Sequence, residues 1–303
     1  MAEALCLGEL LVDFVALTSG VRLADAVEFR RAAGGAPANV AVGLARLGVE
    51  TALIAKVGAD EFGRFLRKTI EDEGIDTSGL VSAKRAQTAL AFVSLDSSNE
   101  RSFEFHGDPS PDALLAPGDL RERPWRGARV FHYGSISLIA EPSRAATLAA
   151  IARARKRGLL VSCDPNLRLA LWPSPSAARA GMRLALRHAD VVKISEEEVD
   201  FLGKMPHAKL VVVTRGPQGG TVFQDGKRVS DFPAFRVKSI DSTGAGDAFT
   251  AGLLYGLLRE KPIAETIRIA AACGALVTLR RGAIPAMPGL PAVMRLARSR
   301  ESR

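Results

Sequence analysis

The sequence predicts an α/β fold: one parallel sheet covered by helices on both faces, with a smaller sheet set apart from it. Three observations carry this. From about residue 110 the apolar pattern alternates between strands (128–133, 159–164, 190–194 and 209–214) and helices (142–157, 176–187 and 195–203), as in parallel sheets flanked by helices. Two earlier stretches, 14–31 and 87–106, lack the helical period and contain short two-residue alternations, which read as separate strands. The chain has 303 residues, 47% hydrophobic and 24% charged, enough for one substantial α/β core or two modest ones.

The elements follow in order. Residues 4–12 are apolar and lead to Asp13, so a buried strand ending in a carboxylate is expected. Ligands of α/β sheets bind at the carboxyl ends of strands, which makes Asp13 a candidate to hold a substrate hydroxyl; a plain turn residue is the other reading. Gly34 and Gly35 permit close backbone approach to a ligand. They precede Asn39 at the start of a helix, where an amide caps or binds a polyol, and Gly48 reads as that helix's C-terminal cap. Residues 51–57 form a buried strand, and 58–63 turn into the next helix. Residues 87–96 and 101–106 alternate as Ala89/Ala91/Val93/Leu95 and Phe103/Phe105 around a turn at 97–99, which reads as a hairpin. A second β patch is expected at 219–237, and 244–300 is mainly helical.

One stretch carries the most chemistry, Asp241-Ser-Thr-Gly-Ala-Gly-Asp247 followed by a Leu- and Ala-rich helical run from about Gly244. The first N–H groups of a helix have no partner within it, and the aligned peptide dipoles make that end positive. Glycines at 244 and 246 keep side chains away from those N–H groups, so the turn can cup a phosphate. Asp247, in the first turn, could take a proton from an alcohol attacking that phosphate. It could equally do no more than stabilise the dipole.

Composition narrows the remaining classes. No window of about 18 apolar residues predicts a membrane span, and the N-terminus has no basic head followed by an apolar stretch, so no signal peptide is read. Cys6, Cys163 and Cys273 are far apart in apolar segments, as expected of reduced core thiols in a cytoplasmic protein. The net charge of +8 comes from Lys and Arg spread over many segments without interleaved aromatic residues, which argues against a nucleic-acid surface. No Gly-x-Gly-x-x-Gly follows the first strand, which sets aside a dinucleotide-binding oxidoreductase.

Together these motifs resemble the ribokinase-like (PfkB) carbohydrate kinases over residues 8–288. Two signatures carry the likeness: residues 34–48 with 58–63, and Asp241 to Asp247 about 200 residues later. Within the family, Gly8-Glu-Leu-Leu-Val-Asp13-Phe14, Asp164-Pro-Asn166-Leu-Arg168 with Leu171-Trp172-Pro173, Lys193-Ile-Ser-Glu-Glu-Glu198 and the 282–288 segment are most similar to fructokinases. The resemblance implies a single domain over 1–303, a Rossmann-like three-layer α/β/α unit with a β lid formed by about 14–33 and 87–107. It implies ATP-dependent phosphoryl transfer to a primary alcohol of a ketose, fructose foremost, in which the lid closes over the sugar and excludes water.

The same resemblance assigns roles. Asp247 would be the base, and the amides of Gly244, Ala245 and Gly246 the anion hole. Asp13, Gly34, Gly35, Asn39 and Arg168 would hold the sugar, although Arg168 also reads as a structural ion pair. Thr214, Gly216, Gly219 and Lys193 would lie on the nucleotide side. Glu198 would organise waters around Mg²⁺, although residues 196–198 by themselves read as an acidic helix start. Asp241 and Thr243, with carbonyls from 279–288, would hold K⁺. Lid-to-lid pairing of strand edges would make a homodimer.

The chain departs from the family pattern at Ser195, at Ala271, where fructokinases commonly have Asn, and at Gly107-Asp108, where they usually have Arg-Asn. Two alternatives stand beside a fructokinase. One is a kinase for 2-keto-3-deoxygluconate, whose lid typically carries tyrosines. The other is a non-catalytic relative that binds a sugar and regulates a partner.

Overall fold

The protein is described here from a computed structural model, which covers residues 1–18, 20–95, 101–107 and 109–299. The chain begins with β1 (Ala4–Leu7), every residue of which is buried. It then leaves that sheet through residues 8–10 and forms β2 (Leu11–Ala16) and β3 (Phe29–Gly34). Helix α1 (Ala36–Arg46) returns it to the main body, and Gly48 follows the helix end at φ +80° as its cap. β4 (Thr51–Gly58), α2 (Glu61–Asp72) and β5 (Asp76–Ala83) come next. Asp60 caps α2 by accepting the Gly63 N–H at 2.8 Å. The chain then goes back to the small sheet for β6 (Leu90–Leu95) and β7 (Arg101–His106).

The second half keeps to one layer pattern. It runs β8 (Val130–Tyr133), α3 (Ser143–Lys156), β9 (Leu160–Cys163), α4 (Pro175–Leu186), β10 (Val191–Ser195), α5 (Glu196–Leu202) and β11 (Leu210–Thr214). An antiparallel pair, β12 (Gly220–Gln224) and β13 (Lys227–Phe232), follows. The chain ends in α6 (Ala245–Leu258), α7 (Ile263–Val277) and α8 (Leu290–Arg298).

Among the described residues, nine strands form one sheet in the order β13-β12-β11-β10-β9-β8-β1-β4-β5, and four form a second in the order β3-β2-β6-β7. From β11 to β5 the large sheet is parallel throughout. Its two faces carry separate apolar cores. One includes Leu44, Leu53, Leu254 and Ala270, and the other Leu5, Phe131, Ala150 and Met182. Apolar runs buried on both faces are what strands of a parallel sheet require.

One expectation changes, one is filled in and one strand is new. The apolar run 4–12 is not one strand: it breaks at 8–10 and pairs in two different sheets, so Asp13 lies within β2 of the small sheet rather than at the end of a core strand. Leu7 and Val12 are buried on either side of the break, and hydropathy cannot distinguish one core from two. The β patch expected at 219–237 is present, and it extends the large sheet to its edge, with β12 pairing antiparallel with β11. β5 was not foreseen; it opens on Asp76-Thr77-Ser78-Gly79, whose polarity hides a strand. The hairpin strands pair Leu90 with His106 through Leu95 with Arg101, and the expected turn at 97–99 lies outside the described residues.

Candidate active site

A cavity of about 750 Å³ opens between the two sheets. The small sheet contributes alternate residues of its strands together with some of their neighbours. Leu11, Asp13 and Val15 of β2 line the cavity, as do Ala91 and Val93 of β6 and Phe105 of β7. Phe14 and Phe92 instead stack on each other at 5.0 Å, and Phe14 meets Phe62 of α2 edge-on at 5.7 Å. The large sheet and its loops contribute Asp164, Asn166, Arg168, Lys193 and the whole of 240–247.

Helix α6 begins at Gly244, which takes the left-handed conformation (φ +78°) that glycine adopts without strain. Ala245 donates its N–H to the Ser242 carbonyl at 3.2 Å. Among the described residues no protein acceptor takes the N–H groups of Gly244 or Gly246. The expected three-amide anion hole therefore has one of its donors, Ala245, already engaged. A Cβ on Gly246 would stand 2.8 Å from Lys193 Nζ, so the glycine lets the ammonium approach the helix start. Lys193 is buried and ion-paired with Asp164 at 3.0 Å. Burial lowers its pKa, but Asp164 and Glu198 outweigh that and hold it above its ordinary value.

Asp247 is 7% exposed. Asn39 donates its Nδ2–H to Asp247 Oδ2 at 2.8 Å, and Asn166 reaches Oδ1 at 3.4 Å. Burial pushes the Asp247 carboxyl up to about 6, and nearby Asp164 pushes the same way, whereas the Asn39 hydrogen bond, Lys193 and Arg168 oppose them. Asp13 is raised to about 6 chiefly by burial, with Arg168 opposing and Asp247 adding to the rise. A Cβ on Gly34 would lie 2.1 Å from Asp13 Oδ2, so the glycine makes room for that carboxylate. Arg168 is exposed at the cavity wall, and its Nη1 donates to the Leu167 carbonyl at 3.1 Å. Two buried carboxyls that titrate near 6 and face one cavity suit hydroxyl binding and proton removal.

Not every expected residue reaches this cavity. Gly34 stands behind Asp13. Thr214, Gly216 and Gly219, at the end of β11 and in the turn before β12, are not among its lining residues. Nor is Glu198, whose Oε1 accepts the Leu167 N–H at 2.7 Å and whose Oε2 accepts the Ser195 N–H at 2.9 Å. With Ser195 it forms a capping box on α5. Asp241 joins two loops: Oδ1 accepts from the Thr243 N–H and Oγ1 at 2.9 and 2.6 Å, and Oδ2 from the Gly282 N–H at 2.8 Å.

Asp164, Asn166, Glu9 and Asp112 also line the cavity, and sequence reasoning gave none of them a role. Asp164 was detectable, because it directly follows strand β9. Asn166 has φ +46°, an uncommon conformation for a residue other than glycine and a pointer to function. No sequence signal marks it. For a divalent ion the relevant observation is Asp164 Oδ1, a buried oxygen that has no partner among the described residues. Hard cations take such oxygens together with water, so Asp164 fits one, while Glu198 has spare lone pairs beside its two backbone bonds.

With this geometry in view, comparison with known proteins is decisive. Residues 1–290 match the description "pfkB family carbohydrate kinase". The chain belongs to that family. As a PfkB kinase it is 46% identical to the probable fructokinase-7 of Arabidopsis thaliana, across 98% of this chain and 93% of that one. It is 34% identical to an uncharacterized sugar kinase from Pyrococcus horikoshii solved in complex with ATP, with a TM-score of 0.90 and 99% of both chains covered. A double mutant of the Vibrio cholerae fructokinase, solved with fructose, ADP and potassium ion, is 36% identical, with a TM-score of 0.87 and 98% of each chain covered. The PfkB kinase fold is thus shared from end to end, and among the described residues no helix is long and apolar enough to cross a membrane.

Proposed function

We propose that the protein is an ATP-dependent fructokinase that phosphorylates the primary alcohol of fructose to give fructose 6-phosphate, with Asp247 as general base. The observation that carries this reading is the buried Asp247 carboxylate, oriented by Asn39 at the positive end of α6 and sharing its cavity with Asp13. The plant and bacterial fructokinases support the choice of sugar. The two tyrosines of the chain, Tyr133 and Tyr255, are buried in the core. The sugar side therefore has no tyrosine of the kind that favours a keto-acid substrate, and Phe105 stands there instead.

The sugar is held by Asp13, Asn39 and Arg168 so that its hydroxyl lies against Asp247. Asp247 accepts the hydroxyl proton as the oxygen attacks the γ-phosphorus of ATP. The free amides at the start of α6 and the Lys193 ammonium lie where negative charge grows on the transferred group, and donors fixed there in advance lower the barrier most. Asp164 and Glu198 would orient the waters of the Mg²⁺ that comes with ATP, and that ion would neutralise the phosphates. Asp241 and Thr243, with carbonyls from 279–288, would hold K⁺, which would steady the loop before α6. Thr214, Gly216 and Gly219 serve the nucleotide. Closure of the small sheet over the sugar excludes water, and pairing of its exposed edges makes a dimer. Three free, buried cysteines suit the reducing cytoplasm proposed as its location.

The deciding experiment measures ADP release against fructose, 2-keto-3-deoxygluconate, ribose, tagatose and adenosine, with Mg²⁺ and with or without K⁺. A clear preference for fructose is expected. Preference for the keto-acid would assign Arg168 to a carboxylate, and no turnover on any of them would favour the regulatory relative.

A further inference from the structure

The chain passes from the large sheet to the small one at residues 8–10 and returns at 34–36. These two crossings lie against each other. A Cβ on Gly35 would come within 2.2 Å of the Glu9 carbonyl oxygen, and one on Gly8 within 2.4 Å of Pro37 Cγ. The Glu9 side chain closes the junction. It is 5% exposed and its Oε1 accepts the Ala36 N–H, the first amide of α1, at 2.8 Å. One turn along that helix Asn39 donates its backbone N–H to the Gly35 carbonyl at 2.8 Å and its side-chain N–H to Asp247. Every link from Glu9 to Asp247 is thus a hydrogen bond or a single turn of helix.

We infer that Glu9 is a positioning residue for phosphoryl transfer: by holding the start of α1 at the junction of the two sheets, it sets Asn39 and, through Asn39, the Asp247 carboxylate. This rests on Asp247 being the base. The titratable groups facing Glu9 are Asp112, in the short 3₁₀ turn after β7, and Asp247. Burial first, and then these two, push its carboxyl up to about 7. Loss of the proton converts a neutral acceptor into a charged one, which holds an amide more strongly.

The test compares Glu9→Ala, Glu9→Gln and Asn39→Ala in the ADP-release assay, with thermal melts to confirm folding. Small misplacements of a reacting group are costly, so Glu9→Ala is expected to lower kcat roughly tenfold to a hundredfold while sugar KM stays within about threefold. Glu9→Gln keeps an acceptor and is expected to recover most of kcat while losing the rate dependence near pH 7. Combining Glu9→Ala with Asn39→Ala is expected to add no further loss, because both act on one path. Unchanged kcat in Glu9→Ala, losses that multiply in the double variant, or no recovery by Gln would each overturn the inference. Amide exchange at Ala36 and Asn39 without substrate reads Glu9 independently of the chemistry. It should quicken in Glu9→Ala, and unchanged exchange also overturns the inference. An Asp247→Asn variant that turns over normally would instead remove the base reading itself.

Discussion

The two sheets contribute opposite things to one cavity. The large sheet supplies groups whose positions are over-determined. Lys193 is buried and paired with Asp164, which also accepts from Thr250 at 3.1 Å, and Asp247 is buried beneath Asn39. The small sheet supplies one carboxylate, Asp13, and an apolar face, and it is secured by rings. Phe92 stacks on Phe14 and meets Phe29 edge-on at 5.4 Å, and Phe62 anchors that cluster to α2. Charged groups buried in one arrangement suit chemistry, which needs fixed distances. An aromatic cluster on the far face of a two-faced sheet suits a wall that gives a cavity its shape. Substitutions of the buried charged groups on the large-sheet side, Asp247 foremost, should therefore act on kcat, and those on the small sheet on sugar KM.

The sharpest test of that division is Asp247→Asn. Removing a general base costs on the order of a hundredfold to ten-thousandfold, and that loss should fall on kcat, with sugar KM little changed in steady-state kinetics. Asp13→Ala is the counterpart on the small sheet. Losing hydrogen bonds to a buried charged acceptor costs about 1.5–3 kcal/mol, so sugar KM should rise roughly tenfold to a hundredfold while kcat holds. A fall in kcat as large as that of Asp247→Asn would break the division.

Stability should respond to Asp247 with the opposite sign. The folded carboxyl titrates near 6 against an ordinary 3.8, so the folded state binds more protons than the unfolded state between those values. The stability it supports is full below about pH 4 and declines as pH rises through about 6. Asp247→Asn has no charge to bury and should exceed the parent at pH 8 by up to about 3 kcal/mol, with the two converging near pH 4 in thermal melts. Activity runs the other way. A base must be unprotonated, so kcat/KM should fall as pH drops through about 6, and a pH–rate profile flat to pH 5 would remove Asp247 from that role.

The smallest effect belongs to the aromatic cluster of the small sheet. Phe92→Leu keeps the volume mostly filled but loses ring pairing worth about 0.5–1.5 kcal/mol per pair. It should raise sugar KM a few-fold, quicken amide exchange in β2 and β6, and leave kcat alone.

Much of this molecule was legible before folding. The strand and helix alternation from 128 to 214 appears in the structure within a residue or two at most boundaries, because buried parallel strands and amphipathic helices write different periods into the chain. The stretch from Asp241 to Asp247 announced a helix start suited to an anion. The even–odd pattern of 87–106 separated the cavity-lining Ala91, Val93 and Phe105 from Phe92 on the other face. What stayed hidden was where the chain changes sheets. Residues 4–12 read as one strand because both halves are apolar, although each half is buried in a different sheet.

The sequence by itself determined which chemistry was on hand: a glycine-rich helix start, a carboxylate one turn inside it, and glycines that let backbone and side chains meet closely. These depend on residues adjacent in the chain. Only the tertiary structure decided which distant groups share the cavity. It joined Asn39 to Asp247 across 208 residues, gave each Glu198 oxygen a backbone amide, and placed Glu9 between the sheets. Burial and pairing of that kind depend on where strands cross in space, and no local pattern of side chains records it.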